Sequence, residues 1–283
     1  MPGGARQLAA VSYCSGVTRE TEGERERDRR RHQRGLFDSV ARLYAATRPG
    51  YPAELAEFVV ATAGVAAGAA VLEVGCGTGQ LTGRLAPFGF ALTAIDVGAS
   101  MIEVARERVT EGGVAFVAVP FEELDAADAS FGLVISGAAF HWVDPEVRFR
   151  KAARLLRPGG WLAVAGYDER YDEPLGSALD ALWRARSPDE GAWATRPADA
   201  AAIRDSGLFE EPVHRAFTQR LTRPAEDVIG VENTRATSLS WPGDVRREFT
   251  AALRQRLDGQ AEVGLTLAAV VTMARARGPV RGD

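Results

Sequence analysis

Between residues 70 and 166 the chain alternates short apolar runs with segments of helical periodicity, and this alternation limits the possible folds more than any other feature. The runs are apolar on both faces, which is typical of parallel strands covered by helices on both sides. Two further strands are expected at Glu211–Phe217 and Val263–Ala274, although the second stretch can also be interpreted as a helix. The pattern predicts an α/β fold with a doubly wound, mostly parallel sheet of seven strands. The five central runs are AVLEVG, ALTAID, VAFVAV, FGLVIS and GWLAVAG.

The segment before the first strand is expected to form two helices. An apolar stripe from Phe37 to Tyr44 has the spacing of a first helix. The helical pattern stops at Pro49 and resumes after Pro52, where a second helix is expected to begin. Residues 1–35 end in a run of mixed charges that cannot bury enough apolar surface to offset its ordering entropy, so a mobile or loosely helical extension is expected there. Residues 36–283 are then expected to form one domain. Its other predicted helices cover Leu81–Ala86, Ser100–Val109, Pro145–Leu156, 175–186, 197–206, 224–231 and 243–258.

Composition and charge indicate which classes of ligand and partner are expected. The formal net charge is −4 and 25% of the residues are charged, so electrostatics give no reason to expect a nucleic-acid partner. Cys14 and Cys76 lie in unlike surroundings, which argues against a disulfide or a metal cluster and favours a reducing, cytoplasmic compartment. No uncharged apolar run approaches the roughly 20 residues of a membrane span. We therefore expect a small-molecule ligand, with no metal, membrane or nucleic acid, and the oligomeric state stays open.

A glycine-rich loop follows the first strand. The stretch VLEVGCGTGQ, residues 71–80, places three glycines where ligand atoms can approach backbone N–H groups that a Cβ would obstruct. A dinucleotide fingerprint would have its third spaced glycine at Gln80, and a pyrophosphate would gain nothing from Glu73 beside it. A ligand with an ammonium and a sulfonium group reverses that preference, because a carboxylate is favourable beside a cation. S-adenosylmethionine is such a ligand.

A second acid points to a ribose. Asp96 ends the second strand, 21 residues after Gly75, and suits hydrogen bonds to ribose hydroxyls. Sites for NAD share this feature, so Asp96 does not separate the two cofactors. An NAD-dependent oxidoreductase therefore stays open as an alternative, while Glu73 and the glycine spacing favour S-adenosylmethionine.

Several motifs together resemble those of the class I S-adenosylmethionine-dependent methyltransferases, in particular their small-molecule type 11 branch. The resemblance extends from about Leu36 to the C-terminus and rests on YAATRPGYP, LEVGCGTG, AID, AFHWVD and LLRPGGWLAV. It implies a Rossmann-like fold, N-terminal helices that cover the cofactor as a lid, and S-adenosylmethionine as the cofactor. The binding residues that it implies are Arg48, Glu73, Gly75, Gly77, Gly79, Asp96, Val97, Met101, Phe121 and Glu122.

The resemblance also assigns parts of the cofactor. Glu73 and the loop glycines would line the methionine part, Asp96 would bind the ribose, and Arg48 would pair with the cofactor carboxylate. The adenine end is less regular. Val97 and Met101 would flank the ring, whereas its edge would meet the stretch PFEEL through Phe121 and Glu122.

This stretch departs from the family pattern in one respect. Pro120 stands where a polar residue is usual, which leaves adenine recognition to the Phe121 backbone or the Glu122 carboxylate.

Methyl transfer from a sulfonium is an in-line displacement, so proximity and orientation can supply most of the catalysis. His141 is the candidate general base because it follows the fourth strand, although it could instead orient its loop. Tyr44 could point at the sulfonium or the acceptor, or it could belong to the core. Tyr51 and Tyr167 are expected to face the acceptor. Trp142 is expected to stack on the acceptor, or else to pack a helix onto the sheet.

The favoured function is methyl transfer to an O or N atom of a small-molecule acceptor in specialised metabolism. One alternative is an S-adenosylmethionine-binding protein without transfer activity, such as a regulator, a partner subunit or a non-methylating cyclase. The other is the NAD-dependent oxidoreductase.

Overall fold

The computed structural model describes residues 32–187 and 200–278. The strands are β1 (Ala70–Val74), β2 (Ala91–Asp96), β3 (Val114–Ala118), β4 (Phe131–Gly137), β5 (Leu156–Tyr171), β6 (Val213–Pro224) and β7 (Glu262–Arg275). They form one seven-stranded sheet with the order β3-β2-β1-β4-β5-β7-β6. Strands β1 to β5 are parallel, and β7 is antiparallel to both β5 and β6. The prediction of an α/β fold with a doubly wound, mostly parallel sheet is confirmed.

Helices connect the strands and cover the sheet. A 3-10 turn at Phe37–Val40 leads into the first α-helix. The second helix begins directly after Pro52 and ends at Gly64, whose φ of 60° lies in the left-handed region that favours glycine. The α-helices are α1 (Ala41–Thr47), α2 (Ala53–Ala63), α3 (Thr82–Leu85), α4 (Ala99–Arg108), α5 (Arg148–Leu155), α6 (Leu175–Arg184), α7 (Ala200–Asp205), α8 (Ala225–Asn233), α9 (Ala236–Ser240) and α10 (Gly243–Leu257).

Both faces of the parallel sheet are buried. On β1, Leu72 and Val74 pack into one apolar core, whereas Val71 packs into another on the opposite face. A third core, which includes Phe249, joins α6, α8 and α10 to the ends of β5 and β7. The two-sided burial explains why the central strands are apolar without alternation.

The interpretation of Val263–Ala274 as a helix is wrong, because this stretch lies in β7. It pairs along its length with β5 on one side and with β6 on the other. Leu265 and Leu267 are fully buried, whereas Thr266 and Ala268, which follow them, are partly exposed. This two-residue period is the signature of a strand, but the apolar residues are too numerous for it to be evident from the sequence.

Predicted boundaries moved at the helix after the glycine loop and at the start of β5. The helix expected at Leu81–Ala86 is one α-helical turn continued by a 3-10 turn to Phe88. Strand β5 begins four residues earlier than expected, and its pairing with β4 shifts register between Leu156 and Trp161. The glycines of RPGG permit this irregularity, since Gly159 has a φ of 74°.

Most of the predicted extension, residues 1–31, and residues 188–199 lie outside the described residues. Residues 32–36 are helical, and the Arg34 guanidinium forms an ion pair of 2.9 Å with Glu122. Described contacts therefore begin before Leu36. The sequence analysis placed this start too late because the partner of Arg34, Glu122, is 88 residues away and composition cannot indicate such a contact.

The strand order reverses beside β1, where the chain leaves for β2 on one side and β4 lies on the other. In such sheets the loops after the two central strands diverge and open a crevice at the carboxyl ends of the strands. No helix in the described part of the chain is long and apolar enough to cross a membrane.

Candidate functional site

The glycine loop after β1 lies against the loop after β4 and the end of α4. Gly75, Gly77 and Gly79 all have positive φ angles, of 71°, 54° and 88°. A Cβ on Gly75 would lie 2.2 Å from the Cβ of Ala139, and one on Gly79 would lie 2.9 Å from Val109 Cγ2. Both the conformation and the close approach therefore require glycine.

The Asp96 carboxylate lies at the end of β2 and fixes two loops. One oxygen accepts a hydrogen bond of 2.9 Å from the Gly77 amide, and the other accepts one of 2.9 Å from the Gly98 amide. Burial raises the pKa of Asp96, the two amides oppose that shift, and the nearby Asp38 adds to it. Each carboxylate oxygen keeps acceptor capacity for a hydroxyl donor.

Glu73 on β1 is fully buried, and neither of its carboxylate oxygens has a hydrogen-bond partner among the described residues. Burial raises the pKa of Glu73 to about 7, and Asp96 raises it further; the Thr82 hydroxyl and amide, which are nearby but not in good hydrogen-bond geometry, oppose the shift. An ionised carboxylate without a partner in the interior is unfavourable. A cationic group bound beside Glu73 would remove that penalty.

A main cleft of about 680 Å³ opens at the carboxyl ends of the strands. Eight of the predicted site residues line it. These residues are Tyr44, Gly75, Gly77, Asp96, Val97, Met101, Phe121 and Trp142.

A small chamber of about 310 Å³ adjoins the main cleft and shares Tyr44 and two loop glycines with it. Glu73, Tyr51 and Tyr167 also line this chamber. The rings of Tyr51 and Tyr167 are in edge contact, with centroids 5.4 Å apart. The two cavities thus bring together most of the residues that the sequence analysis selected.

Arg48 and Gly79 line neither cavity. The Arg48 guanidinium donates hydrogen bonds of 3.0 and 2.9 Å to the Thr234 hydroxyl and carbonyl, and it lies 5.1 Å from the centre of the Tyr44 ring. Its predicted role at the cofactor carboxylate stays a prediction. Gly79 contributes to the site indirectly, because the absence of a Cβ lets the glycine loop pack against α4.

Glu122 and His141 also lie outside the two cavities. Glu122 accepts hydrogen bonds from Arg34, at 2.9 Å, and from the Asp144 amide, at 3.1 Å. His141 is exposed, and its ring centre is 4.6 Å from that of Trp142. The roles predicted for Glu122 at the adenine and for His141 as a base stay predictions.

Sequence reasoning missed three residues before α1. Arg34 and Phe37 line the main cleft, and the Asp38 carboxylate accepts hydrogen bonds from the amides of Ser100, at 2.7 Å, and Met101, at 3.3 Å. Asp38 thereby caps the start of α4. Arg34 could not be distinguished from the other charged residues of its mixed-charge run. Asp38 was missed because its partners are more than 60 residues away in sequence.

Comparisons with known proteins agree with this geometry. Residues 72–164 match the family model described as a methyltransferase domain. A relative in Mycobacterium tuberculosis, named an uncharacterised methyltransferase, is 32% identical over 227 residues, which cover 78% of this chain and 85% of the relative. The chain belongs to the class I S-adenosylmethionine-dependent methyltransferases.

Two solved structures share the fold of this methyltransferase. One, from Anaeromyxobacter dehalogenans and named as a proposed type II methyltransferase, has a TM-score of 0.61 and 24% identity and covers 82% of this chain and 99% of that one. The other is a [4+2]-cyclase with a TM-score of 0.54 and 18% identity. The match covers 89% of this chain and 97% of the cyclase chain. At these identities the likeness concerns the fold alone.

Proposed function

We propose that this methyltransferase transfers a methyl group from S-adenosylmethionine to an O or N atom of a small-molecule acceptor. The observation that carries the proposal is the buried Glu73 carboxylate beside the glycine loop, which lacks a hydrogen-bond partner in the described part of the chain. A cofactor with an ammonium group suits that position, whereas a dinucleotide pyrophosphate does not. This favours S-adenosylmethionine over NAD.

The residues around the main cleft suit the rest of the cofactor. Asp96 retains acceptor capacity for ribose hydroxyls after its two amide contacts. The apolar side chains of Val97, Met101 and Phe121 line the same cleft and would enclose the adenine. When bound, the cofactor supplies a methyl group already activated by its sulfonium.

The protein's part in the reaction is then to hold the acceptor in line with that methyl group and to exclude water. Tyr44 lies between the main cleft and the small chamber, where it would orient the reacting groups. Trp142 lines the main cleft and offers an aromatic wall for the acceptor. Because His141 is exposed beside Trp142, orientation of this loop is the simpler of its two predicted roles. A cytoplasmic setting suits the free, buried Cys76.

Calorimetry with S-adenosylhomocysteine tests the cofactor site. Asp96→Ala is expected to weaken binding by about 2 kcal/mol, because the ribose loses a charged acceptor. His141→Ala is expected to bind normally. Asp128→Ala, which removes an exposed carboxylate paired with Arg154, serves as the matched control. Normal binding by Asp96→Ala would show that the site is misplaced.

Transfer needs a separate test, since one fold hosts many functions and this fold occurs in a cyclase. The wild-type protein is incubated with methyl-labelled S-adenosylmethionine and a panel of small phenols, carboxylic acids and amines. Labelled product supports the proposal. Tight cofactor binding without transfer across the panel would favour the regulator, partner-subunit or cyclase alternative.

A further inference from the structure

A buried cluster of five charged side chains lies where the ends of β5 and β6 meet α1 and α8. Two of its ion pairs are complete. Arg223 on β6 donates to Glu169 on β5, and Arg235 donates hydrogen bonds of 2.7 and 3.0 Å to Glu232 on α8. The side chains of both glutamates are at most 2% exposed. The fifth member is Arg48, which directly follows α1.

The five side chains interact electrostatically as one group. Burial raises the pKa of Glu169, and three neighbouring guanidinium groups lower it. These belong to Arg223, Arg48 and Arg235, whereas the Glu232 carboxylate adds to the rise. Three positive charges therefore face two negative charges, and the cluster holds one positive charge in excess. A buried charge without a counterion is unfavourable, so the excess indicates a place for an anion.

Arg48 is the member of the cluster without an acid of its own. It donates to the hydroxyl and the carbonyl of Thr234, at 3.0 and 2.9 Å, and both of these acceptors are neutral. In the described part of the chain, no carboxylate lies within ion-pair distance of its guanidinium. A guanidinium has five N–H donors, so Arg48 retains donors as well as charge for an anionic ligand.

Arg48 lies behind two tyrosines that line the small chamber. Its guanidinium carbon is 5.1 Å from the centre of the Tyr44 ring. Burial raises the pKa of Tyr167 and Tyr44 adds to the rise, whereas the positive charge of Arg48 opposes it. Arg48 and Tyr167 both keep partly exposed surface. Because Tyr44 also lines the main cleft, the excess charge lies beside the junction of the two cavities.

We propose that the methyl acceptor carries a carboxylate or a group of like charge, which enters between Tyr44 and Tyr167 and pairs with Arg48. The proposal rests on the proposed function and narrows its substrate class from small molecules in general to acidic ones. It assigns Arg48 to the acceptor instead of to the carboxylate of the cofactor. Arg48 would thereby select among acceptors by their charge.

The balance of charge favours an acidic acceptor over a neutral or a basic one. A neutral acceptor would leave Arg48 without a counterion, and a basic acceptor would add to the excess. Binding of the cofactor does not remove that excess. The Glu73 carboxylate and the ammonium, carboxylate and sulfonium groups of S-adenosylmethionine are neutral when taken together. The positive charge at Arg48 therefore persists until an anionic acceptor binds.

The test compares benzoate with benzamide, which share a ring and differ in charge. Both are titrated by calorimetry into the full chain saturated with sinefungin, an analogue that has an amine-bearing carbon in place of the sulfonium. The wild type should bind benzoate about tenfold more tightly than benzamide. Arg48→Gln keeps a polar group for Thr234 but removes the charge, and it should abolish the preference. Arg254→Gln, at an exposed ion pair on α10, is the matched control and should retain it.

The outcomes separate this proposal from the proposed function. If the wild type does not bind sinefungin, the proposed function fails and this inference fails with it. If it binds sinefungin but does not prefer benzoate, only this inference is overturned. If Arg48→Gln binds sinefungin more weakly but still prefers benzoate, Arg48 serves the cofactor and the inference is again overturned. Arg48→Met removes the same charge and decides in its place should Arg48→Gln not fold.

Discussion

At the scale of single residues, the Glu73 carboxylate lies in surroundings that disfavour its ionised form. It is fully buried, no residue within 32–187 or 200–278 forms a hydrogen bond with it, and burial raises its pKa to about 7. Near neutral pH the ligand-free protein is therefore a mixture of protonated and ionised Glu73. A cation bound beside Glu73 would favour the ionised form and so release a proton.

This residue should make stability depend on pH. The folded-state pKa of about 7 lies above the ordinary glutamate value of 4.5, so the folded protein holds more protons than the unfolded chain between these values. The free energy of unfolding should fall by on the order of 3 kcal/mol as pH rises from about 4.5 to about 7 and then level off. Urea unfolding at several pH values, for the wild type and for Glu73→Gln, measures this contribution. An identical slope in both proteins would contradict the assignment.

At the scale of elements, helices α1 and α8 cross unusually closely. A Cβ on Gly230 in α8 would lie 2.3 Å from Thr47 Cγ2 in α1. One residue after Thr47, Arg48 donates to Thr234, which lies four residues after Gly230. The N-terminal helix that carries Tyr44 is thus held by a helix from the far end of the chain.

Gly230→Ala should therefore destabilise the protein by about 1 to 3 kcal/mol, as overpacking typically does. Gly83→Ala is the matched control, because it lies in α3 with its nearest neighbour, Val109 Cγ2, at an ordinary 3.8 Å. Thermal unfolding of both variants measures the difference. Thr47→Ser, which removes the clashing methyl group, should partly restore Gly230→Ala. Equal stability of the Gly230 and Gly83 variants would exclude a tight crossing.

At the scale of the whole molecule, the sequence predicted what local patterns determine and missed what long-range contacts determine. The parallel strands, the glycine loop and the placement of Asp96 at the end of β2 followed from periodicity and spacing. The partners of Arg48 and Glu122 did not, because Thr234 is 186 residues from Arg48 and Arg34 is 88 residues from Glu122. Periodicity within a window cannot indicate such pairs.

A further long-range contact lies at the edge of the main cleft. Phe37 and Tyr44 line the cleft, and Asp38 between them fixes this segment to the start of α4. Asp38→Ala removes a charged acceptor from two backbone amides, a loss of about 1 to 2 kcal/mol. Hydrogen exchange in residues 37–47 should become about tenfold faster, and S-adenosylhomocysteine should dissociate faster. Asp128→Ala, at an exposed ion pair, should change neither rate.

A bound ligand should oppose this loosening, because the cleft is lined by the N-terminal segment on one side and by the glycine loop on the other. Saturating S-adenosylhomocysteine should slow exchange in residues 37–47 and 75–79 together, while exchange in α10 stays unchanged. Protection of the glycine loop alone would mean that the N-terminal segment does not close on the cofactor. Because Asp38 joins that segment to α4, which follows the Asp96 loop, the variant should uncouple the two regions without abolishing binding.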